Sequence, residues 1–259
     1  MVKAKKHLGQ HFLKDDSISE RIVASLTGHG EYKQILEIGP GTGALTQFLV
    51  KTSYEVNLLD IDQESIDYLN ITYPFLLNAI FKSDFINDPL PEKLKAPFAI
   101  IGNFPYNISS QIMFKVIDLK EEVPEVVGMF QKEVAERLVS PPGSKKYGIL
   151  SVLLQAWYDG EYLFTVDEHV FDPPPKVKSG VIRFKRNTRT SLGVSEKTFK
   201  MIIKLAFNQR RKTLRNSLKS IINEKGIDSS SDFFNKRPEQ LSVDEFIGLT
   251  RMIEDANSQ

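Results

Sequence analysis

The sequence predicts an α/β protein: a doubly wound, Rossmann-like parallel sheet followed by a small helical domain. Three observations carry that expectation. Short apolar runs alternate with amphipathic helical stretches over the first two thirds of the chain. A glycine-rich turn, Gly39-Pro-Gly41-Thr-Gly43, joins one of the early apolar runs to a helical stretch. After Lys185 the strand signals stop, and basic helical patterning begins at Ser195, a good N-cap residue.

Taken in order, residues 15–27 read as an amphipathic helix with Ile18, Ile22, Val23 and Leu26 on one side. Gln34–Ile38 is a strand running into the glycine turn, Thr42–Lys51 a helix, and Glu55–Asp60 a second strand. Ser65–Tyr73 is helical and Pro74 ends it. Ala79–Lys82 and Phe98–Ile101 are further strands, the latter apolar enough to be central in a parallel sheet. Ser109–Leu119 is a helix, Val126–Phe130 a strand, and Gln131–Val139 and Leu150–Tyr158 are helices. Tyr162–Val166 and Val181–Lys185 suit a late antiparallel pair. The expected domains are 1–188 and 189–259.

Composition narrows the chemistry. The 259 residues suffice for one large domain with a small appendix, at 41% hydrophobic and 26% charged residues. With no cysteine, disulfides, thiolate nucleophiles and Cys-based zinc sites are excluded. Four scattered histidines, His7, His11, His29 and His169, form no i, i+4 pair, so no metal is expected. No apolar run reaches the ~20 residues of a membrane span, and no apolar signal core follows the basic start, so a cytoplasmic setting is expected. The net charge is only +1, yet charge is segregated. Lys197, Lys200, Lys204, Arg210, Arg211, Lys212, Arg215 and Lys219 run without an intervening acid, and Lys3, Lys5 and Lys6 form a second cluster. Such segregation gives a near-neutral chain a phosphate-binding face, or simply a solvated one.

The glycine turn brings the backbone close to a ligand. Read as Gly39-x-Gly41-x-x-Ala44 it satisfies a nicotinamide-dinucleotide fingerprint, and it suits S-adenosylmethionine equally well. A structural turn is the third reading. About twenty residues on, Asp60 ends the second strand, where an acid accepts ribose hydroxyls, while the neighbouring Asp62 suits a helix cap. At the next strand end, Asp84 is placed for an adenine amino group and Phe85 for packing on the ring. Gly102-Asn103-Phe104-Pro105-Tyr106-Asn107 follows the fourth strand, again at its carboxyl end. The N6 of adenine is a poor nucleophile because its lone pair is delocalised into the ring. Two acceptors on its hydrogens draw it toward tetrahedral geometry; the Asn103 side-chain oxygen and the Phe104 carbonyl are the candidates. Pro105 fixes the turn and Tyr106 offers a stacking face. No catalytic His or Tyr-Lys set of a nicotinamide dehydrogenase follows the glycine loop, which favours methyl transfer over hydride transfer.

With these motifs in place, the chain resembles the ribosomal RNA adenine dimethyltransferase family. The resemblance rests on Gly9-Gln-His-Phe-Leu13, Glu37-Ile-Gly-Pro-Gly41, Gly102-Asn-Phe-Pro-Tyr-Asn-Ile108, Gln131-Lys-Glu-Val134, Tyr147-Gly148, Phe171-Asp-Pro-Pro-Pro-Lys-Val177 with Ser179, and Phe207-Asn-Gln-Arg-Arg-Lys-Thr-Leu214. It implies a class I S-adenosylmethionine-dependent methyltransferase sheet, with His11, Leu13, Gly39, Gly41, Asp60, Asp84 and Asn103 at the cofactor. It implies Phe171 closing on the target base opposite Tyr106, although a core aromatic before a rigid proline run is an equal reading. It also implies a C-terminal domain that contacts RNA through Arg210, Arg211 and Lys212. His11 stands where relatives commonly carry asparagine, and Phe104 where they commonly carry leucine. The implied activity is dimethylation of two adjacent adenines in a 3′-terminal hairpin of small-subunit RNA, with a part in small-subunit biogenesis. The partner is that RNA in an assembling 30S particle, and the protein is expected to be monomeric and away from membranes. The large-subunit enzymes of macrolide resistance share the cofactor and catalytic motifs, and a ribosome-assembly factor that mainly binds RNA is the other reading.

Overall fold

The computed structural model describes residues 2–256. They divide into two compact units. The first holds residues 2–136 together with Tyr158–Arg186; the second holds Arg137–Trp157 and residues 187–256.

The first unit is built on a seven-stranded sheet. A short strand β1 (Phe12–Leu13) precedes it and pairs antiparallel with β8 (Phe171–Asp172). Helix α1 (Asp16–Val23) starts where the Asp15 carboxylate accepts from the amides of Ser17 and Ile18. It stops short of the expected Thr27, because the chain turns at Ala24 and Ser25 and the Thr27 amide and hydroxyl reach the buried Glu125 carboxylate instead. Then come β2 (Gln34–Ile38), a short α2 (Thr46–Leu49), β3 (Glu55–Asp60), α3 (Gln63–Thr72), β4 (Ile80–Lys82), β5 (Phe98–Asn103), α4 (Ser109–Asp118) and β6 (Glu125–Gln131). After α5 (Lys132–Leu138) and α6 (Ile149–Gln155), β7 (Tyr158–Val166) and β9 (Ser179–Arg186) complete the sheet.

The strand order is β4-β3-β2-β5-β6-β9-β7. Of the seven, β9 runs antiparallel to both its neighbours and the others share one direction. The expected late pair is therefore present, but β9 also inserts beside β6. From β2 the chain steps outward to β3 and β4, then returns to β5 on the other side of β2 and continues to β6. This reversal opens a crevice at the carboxyl ends of β2 and β5. β5 is central as expected, with Phe98 through Ile101 fully buried.

The second unit is helical. Helix α7 (Glu196–Asn208) is capped by the Ser195 hydroxyl and buries Phe199, Ile202, Ile203, Ala206 and Phe207. Helices α8 (Leu214–Ser217), α9 (Lys219–Glu224) and α10 (Val243–Asp255) follow. The expected domains divide at Thr188, whereas the compact units divide after Arg186 and group residues 137–157 with the second unit. Helix α6 buries Leu150, Val152, Leu153 and Leu154 on several sides, and it packs on α7 and α10. Tyr147 and Phe246 both flank the Phe207 ring, at 6.3 and 6.0 Å. An apolar helix needs cover on more than one face, and in this chain the C-terminal helices supply it. No helix among the described residues is long and apolar enough to cross a membrane.

Candidate active site

The crevice holds a cavity of about 290 Å³. Ten of the expected site residues reach its wall: His11, Gly39, Gly41, Asp60, Asp84, Phe85, Asn103, Phe104, Pro105 and Tyr106. They come from four strand ends and from the segment preceding β1. At about 3.8 Å per residue these positions are far apart along the chain, and only the parallel sheet aligns their carboxyl ends.

The glycine loop begins where β2 ends. Gly39 donates its amide to the Leu59 carbonyl of the neighbouring strand at 2.9 Å. Gly41 has φ +56, and a Cβ there would sit 2.8 Å from the Phe12 ring. Loop and aromatic ring are thus in contact, and no other residue type fits without displacing one of them. Helix α2 forms only from Thr46, later than the expected Thr42, because the three positive-φ glycines of the loop cannot join a helix.

Asp60, at the end of β3, is buried; its carboxylate accepts from the amides of Asp62 (2.9 Å) and Gly41 (3.3 Å). Burial raises this carboxyl above the usual range, and those amide bonds pull part of the way back. Asp62 caps α3, accepting from Glu64 at 3.1 Å, and also takes Lys5 Nζ at 2.5 Å and Gln10 Nε2 at 3.0 Å. Burial alone would lift the Asp62 carboxyl; the bonds from Lys5 and Gln10 outweigh it and hold it low. Under the loop, Glu37 is 1% exposed, and its carboxylate meets the Thr46 hydroxyl at 2.6 Å. Burial pushes Glu37 up to about 8 against that hydrogen bond, and Asp60 adds to the push. Asp84 accepts from the Ile86 amide at 2.8 Å and from Asn87 Nδ2 at 2.7 Å, while Phe85 is buried in the cavity wall.

At the end of β5, Asn103 Nδ2 donates to the His11 carbonyl at 2.9 Å. That bond decides which way the amide faces, since only its nitrogen can donate. Among the described residues nothing donates to Asn103 Oδ1 or to the Phe104 carbonyl. The Phe104 ring turns into the core against Phe130, 5.1 Å away, so the side chain anchors the turn while its backbone lines the cavity. Tyr106 is held at its hydroxyl by Ser179 Oγ (2.6 Å) and on its ring by His11, stacked at 5.4 Å.

Two expected roles do not match the placement. Leu13 is buried in the core and does not reach the cavity wall. Phe171 is fully buried opposite Leu13 in the β1–β8 pair, so it is core and does not face Tyr106 across the cavity. The His11 imidazole donates Nδ1–H to the Pro173 carbonyl at 2.7 Å, so its side chain is engaged with protein groups. In the second unit, Arg210 bonds the Ser144 carbonyl at 3.5 Å and also the Lys145 carbonyl, so it holds a loop; Arg211 and Lys212 are exposed. The sequence reading missed Phe12, Gln10, Ile61, Asn87 and Asn107 on the cavity wall. Phe12 and Gln10 lie inside the Gly9–Leu13 motif, which marks the segment without saying what each residue touches.

The residues fit an adenosine-bearing sulfonium donor. A backbone cradle closed to any Cβ, an acid at the β3 end, a second at the β4 end, and the apolar Phe85 and Ile61 together match a ribose and an adenine ring. The sheet order with its single reversed strand, and this cavity at the switch point, define a Rossmann-like class I S-adenosylmethionine-dependent methyltransferase. The chain belongs to the ribosomal RNA adenine dimethylase family, whose model matches residues 1–254.

The chain is 60% identical over 253 residues to Ribosomal RNA small subunit methyltransferase A of Cytophaga hutchinsonii, covering 97% of this chain and 98% of that protein. It is 55% identical over 254 residues to the Flavobacterium johnsoniae protein of the same name, covering 98% and 97%. Among solved structures, a dimethyladenosine transferase from Plasmodium falciparum superposes with a TM-score of 0.79 at 24% identity, covering 95% of this chain and 98% of that one. The 23S rRNA methyltransferase ErmE follows at 0.62 and 22%, covering 94% and 99%. These two structures show the shared fold. The nicotinamide reading of the glycine turn is closed: the chain is an S-adenosylmethionine-dependent ribosomal RNA adenine methyltransferase.

Proposed function

We propose that this chain dimethylates N6 of two adjacent adenines in the 3′-terminal hairpin loop of small-subunit (16S) ribosomal RNA, with S-adenosylmethionine as donor. The observation that carries the reading is the pair of unpartnered acceptors, Asn103 Oδ1 and the Phe104 carbonyl, on the wall that also holds Gly39, Asp60 and Asp84. The small-subunit target is supported by relatives of 54–60% identity bearing that name. The large-subunit alternative rests on a 22% identical structure, which carries the fold alone.

The donor supplies an electrophilic methyl on a sulfonium, whose departure leaves a neutral thioether. Asn103 Oδ1 and the Phe104 carbonyl accept the two amino hydrogens of adenine, which localises the nitrogen lone pair toward the methyl. Each preorganised acceptor contributes on the order of 10²–10³ in rate. Tyr106, braced by His11 and pinned by Ser179, presents its remaining ring face to the flipped base, worth ~1–3 kcal/mol of stacking. Pro105 restricts the turn between acceptor and ring. With positioning carrying the rate, no general base is assigned, and the amino proton leaves to water.

Arg211 and Lys212, exposed in the second unit, suit the RNA phosphates. The substrate is an assembling 30S particle, met in the cytoplasm by a monomeric enzyme. The test is methylation of unmethylated small-subunit particles with labelled donor, followed by mass mapping of the adenines. Two dimethyladenines in adjacent positions are expected, with a loss on the order of 10²-fold or more in Asn103→Ala at unchanged donor affinity. Label confined to large-subunit RNA, or full turnover by Asn103→Ala, refutes the reading.

A further inference from the structure

The segment before the first helix is held in a way that its own packing does not require. Between Lys5 and Leu13 the chain makes a single 3-10 turn at Lys6–Leu8 and leads into β1, with Leu8–Phe12 on the cavity wall. None of Lys5 through Phe12 is buried, so the segment has little hydrophobic anchorage until Leu13.

Polar contacts tie it along its length: the His7 carbonyl receives Asn107 Nδ2 at 3.5 Å, and Phe12 pairs with Asp172 in β8. Lys5 Nζ and Gln10 Nε2 both converge on the two oxygens of Asp62, at 2.5 and 3.0 Å, and the Lys5 amide closes the loop on Gln10 Oε1 at 2.8 Å. The Asp62 side chain is 1% exposed, so the anchor point is rigid and the ion pair is only partly screened. Next to Gln10, the His11 carbonyl receives Asn103 Nδ2 at 2.9 Å. The His11 ring meanwhile stacks on Tyr106 and ties to the Pro173 carbonyl. One residue, His11, thus touches the acceptor through its carbonyl and the stacking ring through its imidazole.

An asparagine amide has two nearly isosteric ends of opposite hydrogen-bonding sense. If the His11 carbonyl is absent or displaced, either end can face the cavity, and the NH₂ end repels the amino group that Asn103 is meant to accept from. We propose that residues 5–13 form a strap, anchored on Asp62 through Lys5 and Gln10, whose His11 carbonyl sets Asn103 with Oδ1 toward the substrate. Lys5, Gln10 and Asp62 are positioning residues: they act through the strap and touch no reacting atom. The proposal rests on the reading of Asn103 as an acceptor for the adenine amino group.

The test compares the full-length enzyme with Lys5→Met/Gln10→Leu, which leaves the Asp62 cap of α3 intact, and with Lys5→Arg, which keeps the charge. Two quantities are read: kcat and KM on small-subunit particles, and the side-chain amide signals of Asn103 in the ligand-free protein by ¹⁵N NMR, assigned by their loss in Asn103→Ala. The expected result is a tenfold or greater fall in kcat in the double variant, with KM within threefold. The Asn103 amide protons should lose their hydrogen-bonded shift in the double variant, and Lys5→Arg should keep both readouts at the parent's values. Unchanged kcat, a loss confined to KM, or a fall in kcat with the Asn103 signals unmoved overturns the strap. So does an unfolded double variant if the single Lys5→Met variant also fails to fold, because the segment is then a stability element. Full activity of Asn103→Ala instead sinks the acceptor reading, while the NMR shift still reports whether the strap holds the amide.

Discussion

Replacing Glu37 by glutamine should make the protein more stable at neutral pH. The carboxyl sits beneath the glycine loop, 1% exposed, with one hydrogen bond to Thr46 at 2.6 Å and Asp60 as a nearby acid. Burial pushes it up to about 8 from an ordinary 4.5. The folded chain therefore keeps a proton that the unfolded chain releases above pH 4.5. For such a raised acid, stability is fully present below the unfolded value and is lost as pH rises toward the folded one. At about 1.4 kcal/mol per pH unit, the loss accumulated by pH 7 is at most about 3.5 kcal/mol. Glutamine is a permanently neutral isostere that can still accept from Thr46, so Glu37→Gln should recover about 1–3 kcal/mol at pH 7. Urea denaturation of both proteins from about pH 5 to about 8.5 measures it: the difference should grow with pH and level off above about 8. A variant less stable than the parent throughout, or a difference that does not change with pH, would refute the argument.

Gly41→Ala forces a φ of +56 on an L side chain and drives a Cβ to 2.8 Å from the Phe12 ring; donor affinity by calorimetry should fall about tenfold or more. Phe171→Ala removes a fully buried ring and should cost about 3–5 kcal/mol in thermal or urea unfolding. If the stability cost is small and KM for RNA rises instead, Phe171 reaches the substrate after all. Arg211→Ala and Lys212→Ala should each lower the slope of log affinity against log salt for RNA by about one, seen by filter binding at several salt concentrations. Arg210→Ala should chiefly loosen the loop at Ser144–Lys145, visible as faster amide exchange there.

Periodicity read most of the sheet and its helices, because a parallel strand buried on both faces is a short apolar run that composition alone reveals, as in Phe98–Asn103 and Glu125–Gln131. Capping was legible for the same local reason: Ser195 and Asp62 both cap the helices they precede. Where the reading slipped, the deciding interaction was distant. Residues 137–157 carry an ordinary helical pattern, and nothing in it says that α7 and α10 will cover them. Phe171 has the same local sequence whether it faces a base or a core, and its pairing with Leu13, far off in the chain, settles it.

The site divides along the same line. Gly41, Asp60, Asp84 and Asn103-Phe104-Pro105-Tyr106 were identifiable from sequence, because each sits at a strand's carboxyl end and the chemistry of a residue type survives without coordinates. By itself the sequence indicated the α/β class, the order of the main strands and helices of the sheet, and the glycine turn and Asn103-Phe104 as candidate site elements. Only the tertiary structure decided that Asn103 Nδ2 donates to the His11 carbonyl, that Phe12 closes over Gly41, that Lys5 and Gln10 meet Asp62, and that Leu13 and Phe171 belong to the core. The reason is one of range. Propensity, capping and turn chemistry act over a few residues, whereas hydrogen-bond direction and burial depend on which distant backbone group the fold brings within about 3 Å.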